Sequence, residues 1–185
     1  MNRNLITIFA GAALAIASLG ASAQMKDPDV GGAPMYPNKT VVANASTAPN
    51  LTTLVAAVKA GGLVETLSGP GPFTVFAPTN DAFDKLPAGT VDTLVKPENK
   101  ATLDKILTYH VVKGKITSKD LMKKIKKGGG TYSVATIEGG KLTFTMANGG
   151  IQITDEKGGT AMITTADVYQ SNGVAHIIDS VLMPS

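Results

Sequence analysis

Cysteine and tryptophan are absent from the chain, and its single arginine is Arg3. Without cysteine there are no disulfide staples, thiol nucleophiles or thiolate metal sites. Arginine is the preferred bidentate reader of phosphates and guanine edges, so its scarcity argues against a nucleic-acid partner. Aromatic residues make up 5% of the chain and are scattered, which leaves no platform for stacking bases. Histidine is scarce as well: His110 and His176 are far apart in sequence, whereas zinc wants three or four closely spaced ligands. No G-x-S-x-G elbow occurs, and Asp179 and Ser180 next to His176 fall on alternating faces of a strand, so no hydrolase triad is expected. Asp81 and Asp84 read as early-helix acids that complement the macrodipole. Asp155-Glu156 reads as a hairpin turn, not a calcium loop. The expectation is therefore no catalytic residues, no metal and no cofactor.

What is present begins with an export signal. Arg3 precedes an apolar run from Leu5 to Leu19, followed by the small-x-small site Ala21-Ser22-Ala23. This is the pattern of a signal peptide over residues 1–23, cleaved after Ala23, and the mature chain is expected in the periplasm or outside the cell. No later stretch is long and apolar enough to span a bilayer. Residues 24–39, rich in proline and glycine, read as a flexible leader. The remainder, 40–185, fits one domain, large enough to bury roughly two thirds of the surface that its unfolded chain exposes.

Periodicity divides that domain. Leu51, Leu54, Val55 and Val58 form one helical stripe with Asn50 placed to cap it and Gly61-Gly62 to end it. A helical turn over 63–67 follows. Phe73 to Ala77 reads as a buried strand that stops at Pro78, with Thr79 or Asn80 capping a short helix behind it. A helix is expected over 98–109 with Leu103, Ile106, Leu107 and His110 facing inward, and another from a Ser118 cap to Ile125 with Leu121, Met122 and Ile125 inward, ended by the glycines at 128–130. Five β segments follow, near 131–137, 141–146, 151–154, 160–168 and 174–182, separated by glycine-rich turns. Helices segregated from a run of strands imply an α+β domain.

Outside residues 1–23, sixteen lysines stand against fourteen acids, a net charge of +2. Seven of the lysines crowd into "KGKITSKDLMKKIKK", between Lys113 and Lys127. Lys119, Lys123, Lys124, Lys126 and Lys127 form a candidate patch for an anionic ligand, the alternative being a solvated helix face. Asn38, Asn44 and Asn50 head N-x-[ST] triplets, which accept glycans in eukaryotic secretion.

Three stretches carry a family resemblance. "GPFTVFAPTNDAFDKLP" (71–87) resembles the first signature block of the fasciclin domain family. "NGVAHIIDSVLMP" (172–184) resembles its second block, and "LTYHVVKGK" (107–115) its Tyr-His segment, in the family's order and spacing. The resemblance spans about residues 38–185, and the "VGGAPMYPNKT" leader is similar to that of small single-domain bacterial members. It implies a fasciclin-like wedge, with β-sandwich-like strands flanked by several helices. It also implies a secreted or surface-attached, non-enzymatic cell-adhesion module without a cofactor. Some members bind integrins through an Asp-Ile pair before the second block. Asp167 matches the pair's first position, while Val168 stands at the isoleucine and Ala175 replaces a bulkier aliphatic residue in the block. Tyr109 and His110 match the Tyr-His motif. These four are the partner-binding candidates that the resemblance implies. Their alternative role is structural, since His110 falls on an apolar helix face. The expected partner is a cell-surface or matrix protein or a polysaccharide, with self-association possible.

Overall fold

The structure is a computed structural model that describes residues 28–185. The expected signal peptide, and the start of the leader, lie outside the described residues. The elements run in chain order as β1 (Asp29–Val30), β2 (Ala33–Pro34), α1 (Val41–Ala45), α2 (Thr52–Gly61), α3 (Val64–Ser68), β3 (Phe73–Pro78), α4 (Asn80–Asp84), α5 (Thr90–Leu94), α6 (Lys100–Tyr109), β4 (Val111–Lys113), α7 (Ser118–Lys127), β5 (Thr131–Ala135), β6 (Lys141–Ala147), β7 (Gly150–Thr154), β8 (Thr160–Gln170) and β9 (Gly173–Ile178). The result is the α+β wedge.

Seven strands pair in the order β4-β3-β9-β8-β7-β6-β5. The meander of the C-terminal half is antiparallel, but β9 leaves it to lie parallel to β3, with Phe73 opposite Gly173 and Pro78 opposite Ile178. β8 joins two layers. Its first residues pair with β7, and the rest pairs with β9 after register shifts between Ile163 and Val168. Bulges of this kind bend a strand and increase its twist, which lets one strand serve two layers.

The β3–β9 pair is therefore buried on both faces. Val75, Ala77, Ala175 and Ile177 point into a core formed with α1, α2 and α6, where Leu54, Val58, Leu103 and Leu107 meet them. Phe76 and Ile178 point the other way, toward Leu121 and Ile125 of α7 and Leu142, Phe144 and Ile153 of the meander. Apolar character along both strands broken only by the buried Thr74 and His176, instead of alternation, is what burial on two faces demands.

Several helix ends differ from the sequence expectation. Asn50 does not cap α2. The donor at Thr53 N is met instead by Asn80 Oδ1 at 3.0 Å, across 27 residues of chain. Asn80 Nδ2 also donates to Pro49 O at 3.1 Å and Thr52 Oγ1 at 3.0 Å. Thr79 caps its own helix, α4, accepting from Ala82 N at 3.3 Å. α7 is capped one residue earlier than expected, by Thr117 in a reciprocal capping box with Asp120. Ser118 has another task, described below. His110 lies just past α6 as its C-cap, not within the helix.

The leader is another difference. From Pro28 onward it docks instead of remaining flexible. Val30 and Met35 are each 2% exposed and belong to the helix-side core. Asn44, the second of the N-x-[ST] asparagines, is fully buried and holds this segment. It accepts from Tyr36 N at 3.0 Å and donates to Tyr36 O at 2.8 Å and to Gln170 Oε1. Too few apolar residues mark this stretch for sequence pattern to find it; two anchors and one buried amide suffice.

Because Asn80 serves α2 while Thr79 serves α4, the two should be separable. Asn80→Ala is expected to lower stability by about 1–2 kcal/mol, at least as much as Thr79→Ala. Urea unfolding midpoints of the two single variants check this; a smaller loss for Asn80→Ala contradicts the long-range cap.

Candidate functional site

Tyr109, the last residue of α6, is fully buried. Its hydroxyl donates to Lys141 O at 2.7 Å and accepts from Glu156 N at 3.1 Å, tying α6 to two turns of the meander. Desolvation pushes its pKa up to about 12, so the phenol stays neutral.

His110 follows it and is 3% exposed. Nδ1 meets Ile106 O at 2.8 Å, and Nε2 accepts from Leu182 N at 3.0 Å. That pairing assigns the proton to Nδ1. Burial drives its pKa down to about 4, opposed by its hydrogen bond to Ile106 and by the Asp155 carboxylate. The neutral ring thus pins the C-terminal segment to the end of α6. Asp155 supports it: Oδ2 accepts from Met183 N at 2.9 Å, while Oδ1 accepts from Lys157 N and Gly159 N and forms the turn.

Asp167 sits at the bulge of β8 with φ at 59°, in the left-handed region. Its carboxylate accepts from Ser118 N at 2.7 Å through Oδ1 and from Ser118 Oγ through Oδ2. An anion at a helix N-terminus satisfies a free amide and complements the macrodipole. Asp167 N donates to His176 Nδ1 at 3.3 Å, and His176 Nε2 meets Ile116 O at 2.9 Å. His176 is fully buried, stacked on Phe76 with ring centroids 5.6 Å apart, and burial lowers its pKa. Val168 is 1% exposed, inside the helix-side core.

Among the four residues matched to the family's motifs, three are thus buried, and Asp167 has both carboxylate oxygens engaged. The structure brings Asp167, His176 and Ser118 together, and places Tyr109 and His110 at the other end of β4. Asp179 is drawn away from His176 to accept from Met162 N at 2.8 Å. Among the described residues no three His, Asp or Glu side chains group as metal ligands, and no helix is long and apolar enough to cross a membrane.

The lysine residues behave differently. Lys119, Lys123, Lys124, Lys126 and Lys127 are all exposed, while Leu121 and Ile125 of the same helix are buried. Sequence periodicity had marked Leu121 and Ile125 as inward but also Met122, which is exposed because it lies about a quarter turn round the helix from the buried stripe. It gave no sign of two lysine–tyrosine pairs that flank the helix. Lys124 Nζ lies 4.8 Å from the Tyr132 ring centroid and donates to its hydroxyl at 3.0 Å. Lys115 Nζ lies 4.6 Å from the ring centroid of Tyr169. The second pair joins residues distant in sequence, which only the fold brings together.

Comparison with known proteins places these features in a family. The fasciclin domain profile matches residues 49–184. "Protein sll1483" of Synechocystis is 50% identical over 145 residues, covering 78% of this chain and 73% of that protein. "Immunogenic protein MPB70" of Mycobacterium bovis is 39% identical, covering 78% of this chain and 68% of that protein. "Cell surface glycolipoprotein MPB83" of the same species is 38% identical and is covered over 60% of its length. Among solved structures, a FAS1 domain pair from the insect cell adhesion molecule Fasciclin I superposes with a TM-score of 0.70 at 22% identity. That match covers 80% of this chain and 51% of the pair.

The two buried histidines make stability depend on pH. Their folded-state pKa values lie below the unfolded value of about 6.5. The unfolded chain therefore takes up protons that the native state refuses. Their contribution is complete above about pH 6.5 and is lost as pH falls below it, toward about 4 for His110. Wild-type protein is expected to be about 2 kcal/mol less stable at pH 4.5 than at pH 7 on account of His110. His110→Gln should flatten part of that decline. Urea unfolding at the two pH values checks it, and an unchanged wild-type midpoint would contradict neutral burial.

Proposed function

The chain belongs to the fasciclin domain family, and from that membership we propose that it is an exported, non-enzymatic module for cell adhesion or surface interaction. The observation that carries this reading is how the titratable groups are spent. Tyr109, His110, Asp155, Asp167 and His176, the groups that chemistry would recruit, each bind backbone donors or acceptors that hold the fold. The relatives' names point the same way. One is a cell surface glycolipoprotein, and the structural neighbour is a cell adhesion molecule. Export rests on the signal pattern over residues 1–23, with the protein acting in the periplasm or outside the cell.

In this reading Asp167, Val168, Tyr109 and His110 serve partner binding by position. Asp167 sets the start of α7, and Tyr109 and His110 hold the meander and the C-terminal segment against α6. What they position is surface, and the most charged part of it is α7.

A second reading follows from that helix: a periplasmic or extracellular binding protein for acidic polysaccharide or other envelope components. It is favoured by the exposure of all five candidate lysines.

The adhesion reading predicts reduced attachment or biofilm when the gene is deleted, restored by the intact gene. Unchanged attachment on every surface tried would reject it.

A further inference from the structure

The lysine-rich face carries more positive charge than its surroundings neutralise; from outside the stretch, the Asp167 carboxylate reaches it at Ser118. Between Lys113 and Lys127 there are seven lysines and one acid, Asp120. That acid is already engaged: its Oδ2 accepts from Thr117 N at 3.2 Å and from Thr117 Oγ1 at 2.8 Å. The ion pairs among the described residues are made by Lys85, Lys100 and Lys105, none of them from this stretch. Lys119, Lys123 and Lys127 follow one another at four-residue spacing, where like charges destabilise a helix. The fold keeps them there all the same, by the capping box, by Asp167 on Ser118, and by burial of Leu121 and Ile125.

Two lysine–tyrosine pairs are anchored in the same stretch. Lys115 over Tyr169 lies near its N-terminal end, and Lys124 over Tyr132 lies beside its second half. Contact with an aromatic face restrains an otherwise mobile ammonium group, so less freedom is lost when an anion binds. Lys115 also lines an open cleft of about 410 Å³ beside Pro72 and Ser171.

We propose that the outer stripe of α7 (Lys119, Lys123 and Lys127) and the pairs Lys115–Tyr169 and Lys124–Tyr132 form one binding band for a linear acidic polysaccharide. The inference rests on the second reading above and assigns the residues that give it selectivity. Lysines four apart on a helix recur every ~6 Å, comparable with the spacing of charges on a chain that bears one carboxylate per sugar. A membrane surface fits less well, because Leu121 and Ile125 of α7 are turned into the core and leave Met122 as the helix's one exposed apolar side chain, too little for an inserting face. Duplex DNA fits less well because the band has no arginine.

The test titrates the purified protein against immobilised polygalacturonate at low salt, with neutral dextran, phosphatidylglycerol vesicles and duplex DNA as comparisons. The variant K119Q/K123Q/K127Q should bind polygalacturonate about tenfold more weakly or worse, and K59Q/K96Q/K157Q, which removes equal charge elsewhere, should stay within about twofold. Tyr169→Leu leaves the charge unchanged and should weaken binding about threefold. Thermal unfolding of each variant confirms that it folds. Equal losses in the two triple variants would overturn the band in favour of diffuse charge, as would full affinity in Tyr169→Leu. Vesicles or DNA bound as tightly as polygalacturonate would overturn the polysaccharide. A wild-type protein that binds no polygalacturonate would overturn both the band and the reading beneath it. Wild-type binding with an unaffected stripe variant would overturn the band alone.

Discussion

The parallel pairing of Phe73–Pro78 with Gly173–Ile178 is the constraint on which the rest of this molecule depends. It joins the helical half of the chain to the meander, and it is buried from both sides. The two backbones approach so closely at the start of the pair that side chains are excluded. A Cβ at Gly173 would lie 2.0 Å from Phe73 O, and one at Gly71 would lie 2.0 Å from Asn172 O. Glycine is required at both places by contact with the neighbouring backbone.

A strand pair in the middle of a molecule can organise its surroundings only through what it carries at its ends and on its polar positions. Thr74 and His176 are the polar side chains within it, and both hold the segment before α7. Thr74 Oγ1 donates to Gly114 O at 2.6 Å and accepts from Ile116 N at 2.9 Å, while His176 Nε2 meets Ile116 O. Asn172, just ahead of β9, donates to Leu67 O at 2.7 Å and to Gly69 O at 3.1 Å, and accepts from Val41 N at 3.2 Å. Asn80, just beyond β3, caps α2. An unpaired buried polar group costs about 1–3 kcal/mol, so each of these contacts stabilises one arrangement against its competitors. The two signature stretches are thus neighbouring strands with helix-fixing amides attached.

This explains which parts of the fold were legible in the sequence. Leu54, Val55 and Val58 announced α2, and Leu142 and Phe144 alternating with lysine and threonine announced β6, because burial on one face leaves a period. The apolar run at Phe73–Ala77 announced a strand buried twice, but not the partner that buries it, since a parallel neighbour a hundred residues away leaves no local trace. Caps were legible as residue types and not as pairings. Asn50 and Asn80 are the same amide, and only the tertiary approach of α4 to the start of α2 decides which one meets Thr53. Likewise Ser118 was visible as a helix-start residue, whereas its bond to Asp167 was not. The family resemblance pointed to Asp167, Tyr109 and His110. The fold shows what their side-chain polar atoms touch, which is backbone in every case but the hydroxyl of Ser118.

The division of labour has a physical consequence for the surface. Most of the polar contacts that hold the core are made to main-chain groups, and none of those described above is made to a lysine side chain, so the core depends little on which lysines sit outside it. α7 is the clearest case. Its position is set by the Thr117–Asp120 capping box at its N-terminus, by Asp167 acting on Ser118, and by Leu121 and Ile125 in the core. None of these involves a lysine. The last turn even gains from Lys124, Lys126 and Lys127, whose charge opposes the negative end of the helix dipole. Lys119 has no such gain, being placed in the first turn, where a positive charge faces the positive end and only the Asp120 and Asp167 carboxylates offset it. A helix held this firmly by other means can tolerate that placement, and a surface with no structural duty is free to be shaped by what it meets.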